Sequence, residues 1–325
     1  MLNKNLVNLL QKNKKNIAKC KIICIGDIIL DCYVIGKVER MSPEAPIPIL
    51  IKENQYNQIG GAGNVVRNIS KIGAQTTFIH LSGLDSSSIL IKKLLLKEKN
   101  IKSIGIKVPN FKTPLKTRFV TKNNHLLRID DEDINFKLAS KYRKLIVKKI
   151  ENEIKKNDLI VLSDYNKGLL DSLLIKKIIR MSVKYNKMII ADPKKIDLSV
   201  YANIGMLTPN QKELSDAAKK AFLNEKDLIL FGKKIIKKYK INNLLVTRSE
   251  KGMLLINYNS VKKFKTDAKK VIDVTGAGDT VIATLALMLT LKLTVEESIK
   301  ISNYAAAKVI EKNGTRSISY LDLIK

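Results

Sequence analysis

The sequence predicts one α/β domain: a mostly parallel central sheet with helices on both faces and a small β-flap standing off it. Three observations carry this. Short apolar runs of strand length alternate with longer stretches of helical period along most of the chain. Such alternation implies parallel strands joined by crossover helices that cover the sheet. Two segments break the alternation with a half-exposed pattern that suits edge strands. The length, 325 residues, fits one large domain or two small ones, and no linker, low-complexity tract or internal repeat divides it.

In chain order, residues 1–19 read as a polar leader, because Asn, Gln and Lys interrupt every apolar run and leave no signal-peptide core. The domain takes residues 20–325. Residues 21–25 read as a buried strand, 64–71 as a helix, 76–81 as a strand, 89–99 as a helix and 104–108 as a strand. A long amphipathic stretch covers 136–156. Strands follow at 158–162 and 188–191, with a helix over 169–184 between them. The strand series continues at 204–207, 244–247, 253–256 and around Phe264, and helices over 280–291 and 295–311 close the chain. The two exceptions are 47–59, which alternates around Pro46 and Pro48, and 116–130, a hairpin turning at Asn123-Asn124. Asn tolerates the left-handed turn conformation such a hairpin needs. Together they predict a lid with strands within 33–59 and 104–130.

Composition narrows the function classes. Apolar residues make up 45% of the chain, which excludes an intrinsically disordered chain despite a formal charge of +30. That charge is nearly all Lys, 52 against 8 Arg, spread along the chain with Asn and Ile. Readers of nucleic-acid sequence use Arg forks and aromatic platforms, and here aromatics are 5% with no Trp. A compositional bias explains the charge better than a nucleic-acid face, though the field would still draw anionic small molecules. The best candidate for a membrane span, 281–291, stops at Lys292, short of the length a span requires. Cys20, Cys24 and Cys32 form neither a disulfide framework nor a C-x-x-C pair, which fits a reducing, cytoplasmic compartment.

Four motifs carry chemistry. The first is Asp273-Val-Thr-Gly-Ala-Gly-Asp279, running into an apolar helix. Gly276 and Gly278 permit a tight turn whose N–H groups face an anion at the helix N-terminus. Asp279 beside that anion is placed to take a proton from a hydroxyl attacking a phosphate; a bare glycine turn with Asp as helix cap is the plainer alternative. The second is Gly60-Gly-Ala-Gly-Asn64, which lets a ligand approach backbone before a helix. It is no dinucleotide fingerprint, since Val66 and Arg67 stand where a third glycine is needed. The third is Gly26-Asp27-Ile-Ile-Leu-Asp31, after the first strand, where open α/β sheets bind ligands. Asp31 there could accept sugar hydroxyls or be a plain cap. The fourth is Thr208-Pro-Asn210-Gln-Lys-Glu213. Asn210 and Glu213 could hold hydrated Mg²⁺ near phosphates, and taken alone the spacing reads as a capping box.

On these four motifs the chain resembles the ribokinase (PfkB-type) sugar kinases over nearly its whole length. Met41-Ser-Pro-Glu-Ala-Pro-Ile-Pro, Leu127-Arg-Ile-Asp130, Ser163-Asp-Tyr-Asn-Lys-Gly168, Ala191-Asp-Pro-Lys194 and Val246-Thr-Arg-Ser-Glu-Lys-Gly252 resemble the heptose-7-phosphate kinase branch of ADP-heptose synthesis. The resemblance implies a ribokinase-like three-layer sandwich with a β lid, through which such proteins often dimerise. It implies Asp279 as catalytic base and Gly276, Ala277 and Gly278 as anion hole. It implies sugar contacts from Asp31, Gly60, Gly61 and Asn64. The ATP side would be lined by Asn210, Gln211, Lys212, Glu213, Thr247, Ser249 and Gly252, with Mg²⁺ near Asn210 and Glu213 through water. Some members of the wider family need K⁺, for which Asp273 and Thr275 are the candidates. The implied reaction is ATP-dependent phosphorylation of the C1 hydroxyl of D-glycero-β-D-manno-heptose 7-phosphate. Arg118, Arg128, Lys167 and Lys194 are the candidates to clamp the 7-phosphate, Arg being suited to bidentate contact.

The chain departs from the pattern at Cys32-Tyr33-Val34, where relatives often carry Arg-Tyr-Trp, and at Gly63, where Ala is more usual. An H-x-G-H nucleotidyltransferase motif is absent, the only histidines being His80 and His125, so a separate adenylyltransferase is implied. The competing readings are another kinase of the same fold, for ribose, fructose, fructose 1-phosphate or a nucleoside, and, more distantly, a non-catalytic nucleic-acid-binding module.

Overall fold

The computed structural model describes residues 2–122, 124–133, 136–268, 271–311, 314 and 316–324. The strands are β1 (Lys21–Gly26), β2 (Ile28–Met41), β3 (Pro48–Gly61), β4 (Gln75–Ser82), β5 (Ile101–Lys107), β6 (Leu115–Val120), β7 (His125–Asp131), β8 (Leu159–Ser163), β9 (Met188–Asp192), β10 (Met206–Leu207), β11 (Asn243–Thr247), β12 (Met253–Asn257) and β13 (Val261–Phe264). The helices are α1 (Lys4–Ile17), α2 (Ala62–Ile72), α3 (Ser86–Leu95), α4 (Phe136–Lys141), α5 (Arg143–Ile154), α6 (Ser172–Lys184), α7 (Gln211–Ala218), α8 (Glu225–Tyr239), α9 (Ala277–Thr290), α10 (Val295–Ile310) and α11 (Tyr320–Ile324).

Among the described residues nine strands form one sheet in the order β13-β12-β11-β10-β9-β8-β1-β4-β5. It is parallel from β11 to β5, and only β12 and β13 run antiparallel to their neighbours. Successive side chains of a strand point to opposite faces, and β1 shows the result. Ile22 and Cys24 join one apolar layer with α1, α2, α3, α9 and α10. Ile23 and Ile25 join the other, with α5, α6 and α8. That is the three-layer arrangement the alternation predicted.

The smaller sheet, β3-β2-β6-β7, is the lid. β2 begins fully buried at Ile28 and runs out to an exposed tail at Met41, paired antiparallel with β3 throughout. Its inner half also pairs parallel with β6, which turns back into β7. The turn is closed by Thr121, whose amide donates to Asn124 O at 2.8 Å; Asn123 lies outside the described residues.

The structure corrects several boundaries. Residues 4–17 are not a polar leader but a helix docked on the core: Asn3 caps it by accepting from Leu6 N, and Leu6, Leu10 and Ile17 are buried. Spacings of four and seven residues put these three on one stripe, which the surrounding Lys and Asn conceal in the sequence. Residues 101–107 belong to the large sheet, hydrogen-bonded along β4, so they are no part of the lid; the lid begins at Ile28 and resumes at Leu115. The 136–156 stretch is two helices parted at Tyr142.

Candidate active site

Parallel strands deliver their carboxyl ends to one rim, and loops there carry the polar residues. Asp27 follows β1, Asp164 and Tyr165 follow β8, Asp192 ends β9, Thr208 and Asn210 follow β10, and Thr247 ends β11. Above them sits the N-terminus of α9, where Gly276 takes φ +80 as N-cap. A cavity of about 180 Å³ lies between, lined among others by Tyr165, Asp192, Lys194, Asn210, Gly278 and Asp279.

Asp279 is 7% exposed. Its Oδ1 accepts the phenolic O–H of Tyr165 at 2.5 Å, and its Oδ2 accepts the side-chain amide of Asn64 at 2.8 Å. Burial pushes its carboxyl up to about 6, those two hydrogen bonds pull it down, and the nearby Asp31 charge adds to the rise. Burial and the Asp279 charge hold the Tyr165 phenol well above its ordinary value, so it stays a donor. In the first turn of α9, Ala277 N donates to Val274 O at 3.2 Å. The amides of Gly278 and Asp279 are those that this first turn leaves without carbonyl partners. A side chain at Gly278 would meet nothing within 4 Å, so this backbone opens onto free space.

A second set gathers at the root of the lid. Asp31 on β2 accepts from Arg118 Nη1 on β6 at 2.5 Å. Burial raises the Asp31 carboxyl, while Arg118 opposes it. The guanidinium stacks over Tyr33 at 5.2 Å, and Tyr33 stacks on Tyr56 at 5.0 Å. Gly60 packs against Asp31, and Gly61 turns into α2 at φ +58. Lys167 pairs with Glu132, which tethers the β8 loop to the segment after β7. Arg128 stands opposite Arg118 on β7 and pairs with Asp130 at 2.8 Å.

The remaining candidates divide. Asn210 and Glu213 form a complete capping box at the start of α7, and the other Glu213 oxygen pairs with Lys194. Lys194 thus stands with Asn210, Glu213 and Thr247, not with the lid cations. Gln211 and Lys212 lie on α7 and are not part of the cavity wall. Ser249 and Gly252 form the turn after β11, Gly252 at φ +72. Asp273 accepts from Thr275 N at 2.8 Å and Gly314 N at 3.1 Å, away from the cavity wall. The rim offers hard oxygen donors in Asp192 and Glu213, but among the described residues no three acidic, His or Cys side chains converge on a metal position. This donor set fits a hydrated Mg²⁺ carried mainly by phosphates. No helix of the described residues is long and apolar enough to cross a membrane.

Tyr165 and Asp192 are two site residues that the sequence motifs alone do not mark. The signal was present, since both sit in strand-end segments, Ser163–Gly168 and Ala191–Lys194. The partner of Tyr165 lies 114 residues away, beyond any local pattern.

Known proteins share the sequence pattern and the fold. Residues 19–321 match the pfkB family carbohydrate kinases. The bifunctional protein HldE of Campylobacter fetus subsp. fetus is 40% identical over 92% of this chain and 64% of its own length. That of Helicobacter acinonychis is 38% identical over 91% of this chain and 64% of its own. The chain thus spans a little under two thirds of these relatives. Arabidopsis thaliana ribokinase complexed with ribose and ATP superposes with a TM-score of 0.74 at 18% identity, over 94% of this chain and 99% of that one. Escherichia coli phosphofructokinase-2 in complex with potassium gives 0.75 at 20% identity, over 94% and 97%. These structures show the ribokinase-like fold.

Proposed function

We propose an acceptor for this chain, which belongs to the pfkB family of carbohydrate kinases and is an ATP-dependent kinase: the C1 hydroxyl of D-glycero-β-D-manno-heptose 7-phosphate, giving the 1,7-bisphosphate and ADP. The observation that carries the chemistry is the buried Asp279 carboxylate beside the open amides of α9. The sugar assignment is supported by the heptose-kinase-like segments and by basic residues on the lid arms facing Asp31.

In this reading the γ-phosphate of ATP lies over the amides of Gly278 and Asp279, where the helix dipole favours negative charge. Asp31, with Gly60 and Gly61 allowing close approach, receives the sugar hydroxyls. Arg118, Arg128 and Lys167 take the 7-phosphate, Arg128 and Lys167 exchanging their present carboxylate partners for it while Arg118 keeps one nitrogen on Asp31. Lys194, by its place beside Asn210 and Thr247, serves the transferring phosphate instead. Asp279 accepts the C1 proton as the oxygen attacks phosphorus in line, and the bond to the ADP oxygen breaks. Asn64 acts on Asp279 rather than on the sugar. The lid closes over the site and excludes water, the competing acceptor.

Asp192 and Glu213 would hold Mg²⁺ through water, where it supplies neutralisation of phosphate charge. A K⁺ requirement through Asp273 and Thr275 is tested by exchanging K⁺ for Na⁺ in the assay. The exposed Ile51, Leu127 and Ile129 of the lid strands support a homodimer through the lid. The product would pass to an adenylyltransferase activity on the way to ADP-heptose for the lipopolysaccharide core. The experiment is ATP turnover with heptose 7-phosphate, ribose, fructose, fructose 1-phosphate and adenosine. Turnover of another acceptor would keep the mechanism and discard the heptose.

A further inference from the structure

We propose that Asp27 is the positioning residue of this site, holding through one side chain and one carbonyl both of the donors that aim Asp279; this rests on reading Asp279 as the base. Asp27 lies between β1 and β2 and is 4% exposed. A buried carboxylate must be hydrogen-bonded or it is strongly destabilising. Here its Oδ2 accepts from Tyr165 N at 3.1 Å and Lys167 N at 3.0 Å, and its Oδ1 accepts from Leu169 N at 3.1 Å.

These are alternate amides of one loop. The intervening residues, Asn166 at φ +57 and Gly168 at φ +117, take left-handed backbone. Such an alternation turns successive N–H groups to one side and makes an anion-binding concavity. The loop is therefore wrapped around Asp27. Its first residue, Tyr165, is the one whose phenol meets Asp279 Oδ1. The backbone carbonyl of Asp27 meanwhile accepts from Ala62 N at 2.9 Å, at the start of α2. The first turn of that helix carries Asn64, the donor to Asp279 Oδ2.

Both oxygens of Asp279 are thus held from the protein side, and each keeps a lone pair for the acceptor hydroxyl. Misplacing a reacting group by about 1 Å costs on the order of a hundredfold in rate. Hydrogen bonds from Tyr165 and Asn64 also favour the ionised carboxylate, the form a base requires. Loss of either donor raises the Asp279 pKa and moves the acid limb of the rate profile to higher pH. The other groups whose charges reach this carboxylate are Asp31, Lys194, Asp192 and Cys24, and burial pushes the Asp27 carboxyl itself up to about 6, beside Asp164.

The test compares wild type, Asp27→Asn, Tyr165→Phe, the double variant and Asp279→Asn, each with ATP and the turned-over acceptor. Asn cannot accept three amides, since its NH₂ would face a donor. The expected result is about a hundredfold loss of kcat in each single variant, with KM for ATP nearly unchanged. The acid limb should rise by about one pH unit, and the double variant should be no worse than the poorer single one. Amide exchange at residues 165, 167 and 169 should speed about tenfold or more in Asp27→Asn. Should Asp27→Asn not fold, Gly168→Ala displaces the same loop and should give the same signature. An unmoved acid limb in the loop variants, or losses that multiply in the double variant, would overturn the positioning role. Full activity in Asp279→Asn would overturn instead the base assignment beneath it.

Discussion

Replacing Gly60 by Ala tests how the lid root shapes the sugar site. A methyl at this position would lie 2.1 Å from Asp31 Oδ2 and 2.8 Å from its Cγ. A carbon and an oxygen cannot approach so closely, and about 1 Å must be found, a displacement that costs on the order of a hundredfold when it misplaces a binding group. Asp31 has little freedom to give way, because its other oxygen is held by Arg118 at 2.5 Å and that guanidinium is stacked on Tyr33. Nor can β3 retreat easily, since Gly60 pairs with Ile29 in a continuous ladder. Crowding of this kind costs about 1–3 kcal/mol of stability. The assay is steady-state kinetics with both substrates varied, alongside thermal denaturation. Gly60→Ala should raise KM for the sugar phosphate by about a hundredfold while leaving KM for ATP nearly unchanged. An unaltered KM for the sugar in a folded variant would refute the placement of Asp31 on the sugar path.

The other predictions follow from the same geometry. A base must be ionised, and the Asp279 carboxyl sits up at about 6, so kcat/KM should be level above that pH and fall about tenfold per pH unit below it; a level profile down to pH 4 would contradict the base role. Arg128→Ala, at an exposed position, should raise KM for the sugar phosphate by about tenfold, whereas Lys194→Ala should raise KM for ATP; no change from Arg128→Ala removes that residue from the clamp. Leu10→Ala should lower stability by about 2–5 kcal/mol, the cost of a buried leucine truncation, and a change below 0.5 kcal/mol, measured by denaturant unfolding, would mean that α1 is not docked in solution.

The sheet was legible because each buried parallel strand is a compact apolar run, as in residues 21–25, and the crossover helices keep their period. The lid was legible from its alternation and from Pro46 and Pro48. What escaped had physical causes. The stripe of α1 is three residues in a Lys- and Asn-rich segment. The strand β5 lies at the sheet edge and is exposed over most of its length, so it looked like a lid strand. In the site, Asp279 and the Gly276 turn were readable because glycine, dipole and carboxylate lie within four residues. The box of Asn210 and Glu213 was readable as both a cap and a phosphate-side element, and the structure shows the cap in place. Tyr165 and Asp27 were not readable as neighbours of Asp279, since their contacts arise where β1, β8, α2 and α9 converge. The division of the cations, with Lys194 apart from Arg118 and Arg128, likewise depends on which strand end carries each one.

ATP turnover over the acceptor panel, wild type against Asp279→Asn, probes both the acceptor and the role of Asp279. Strong turnover of D-glycero-β-D-manno-heptose 7-phosphate alone is expected, falling at least about a hundredfold in the variant. Full turnover by Asp279→Asn, or wild-type turnover of ribose or fructose with none of the heptose phosphate, would contradict it.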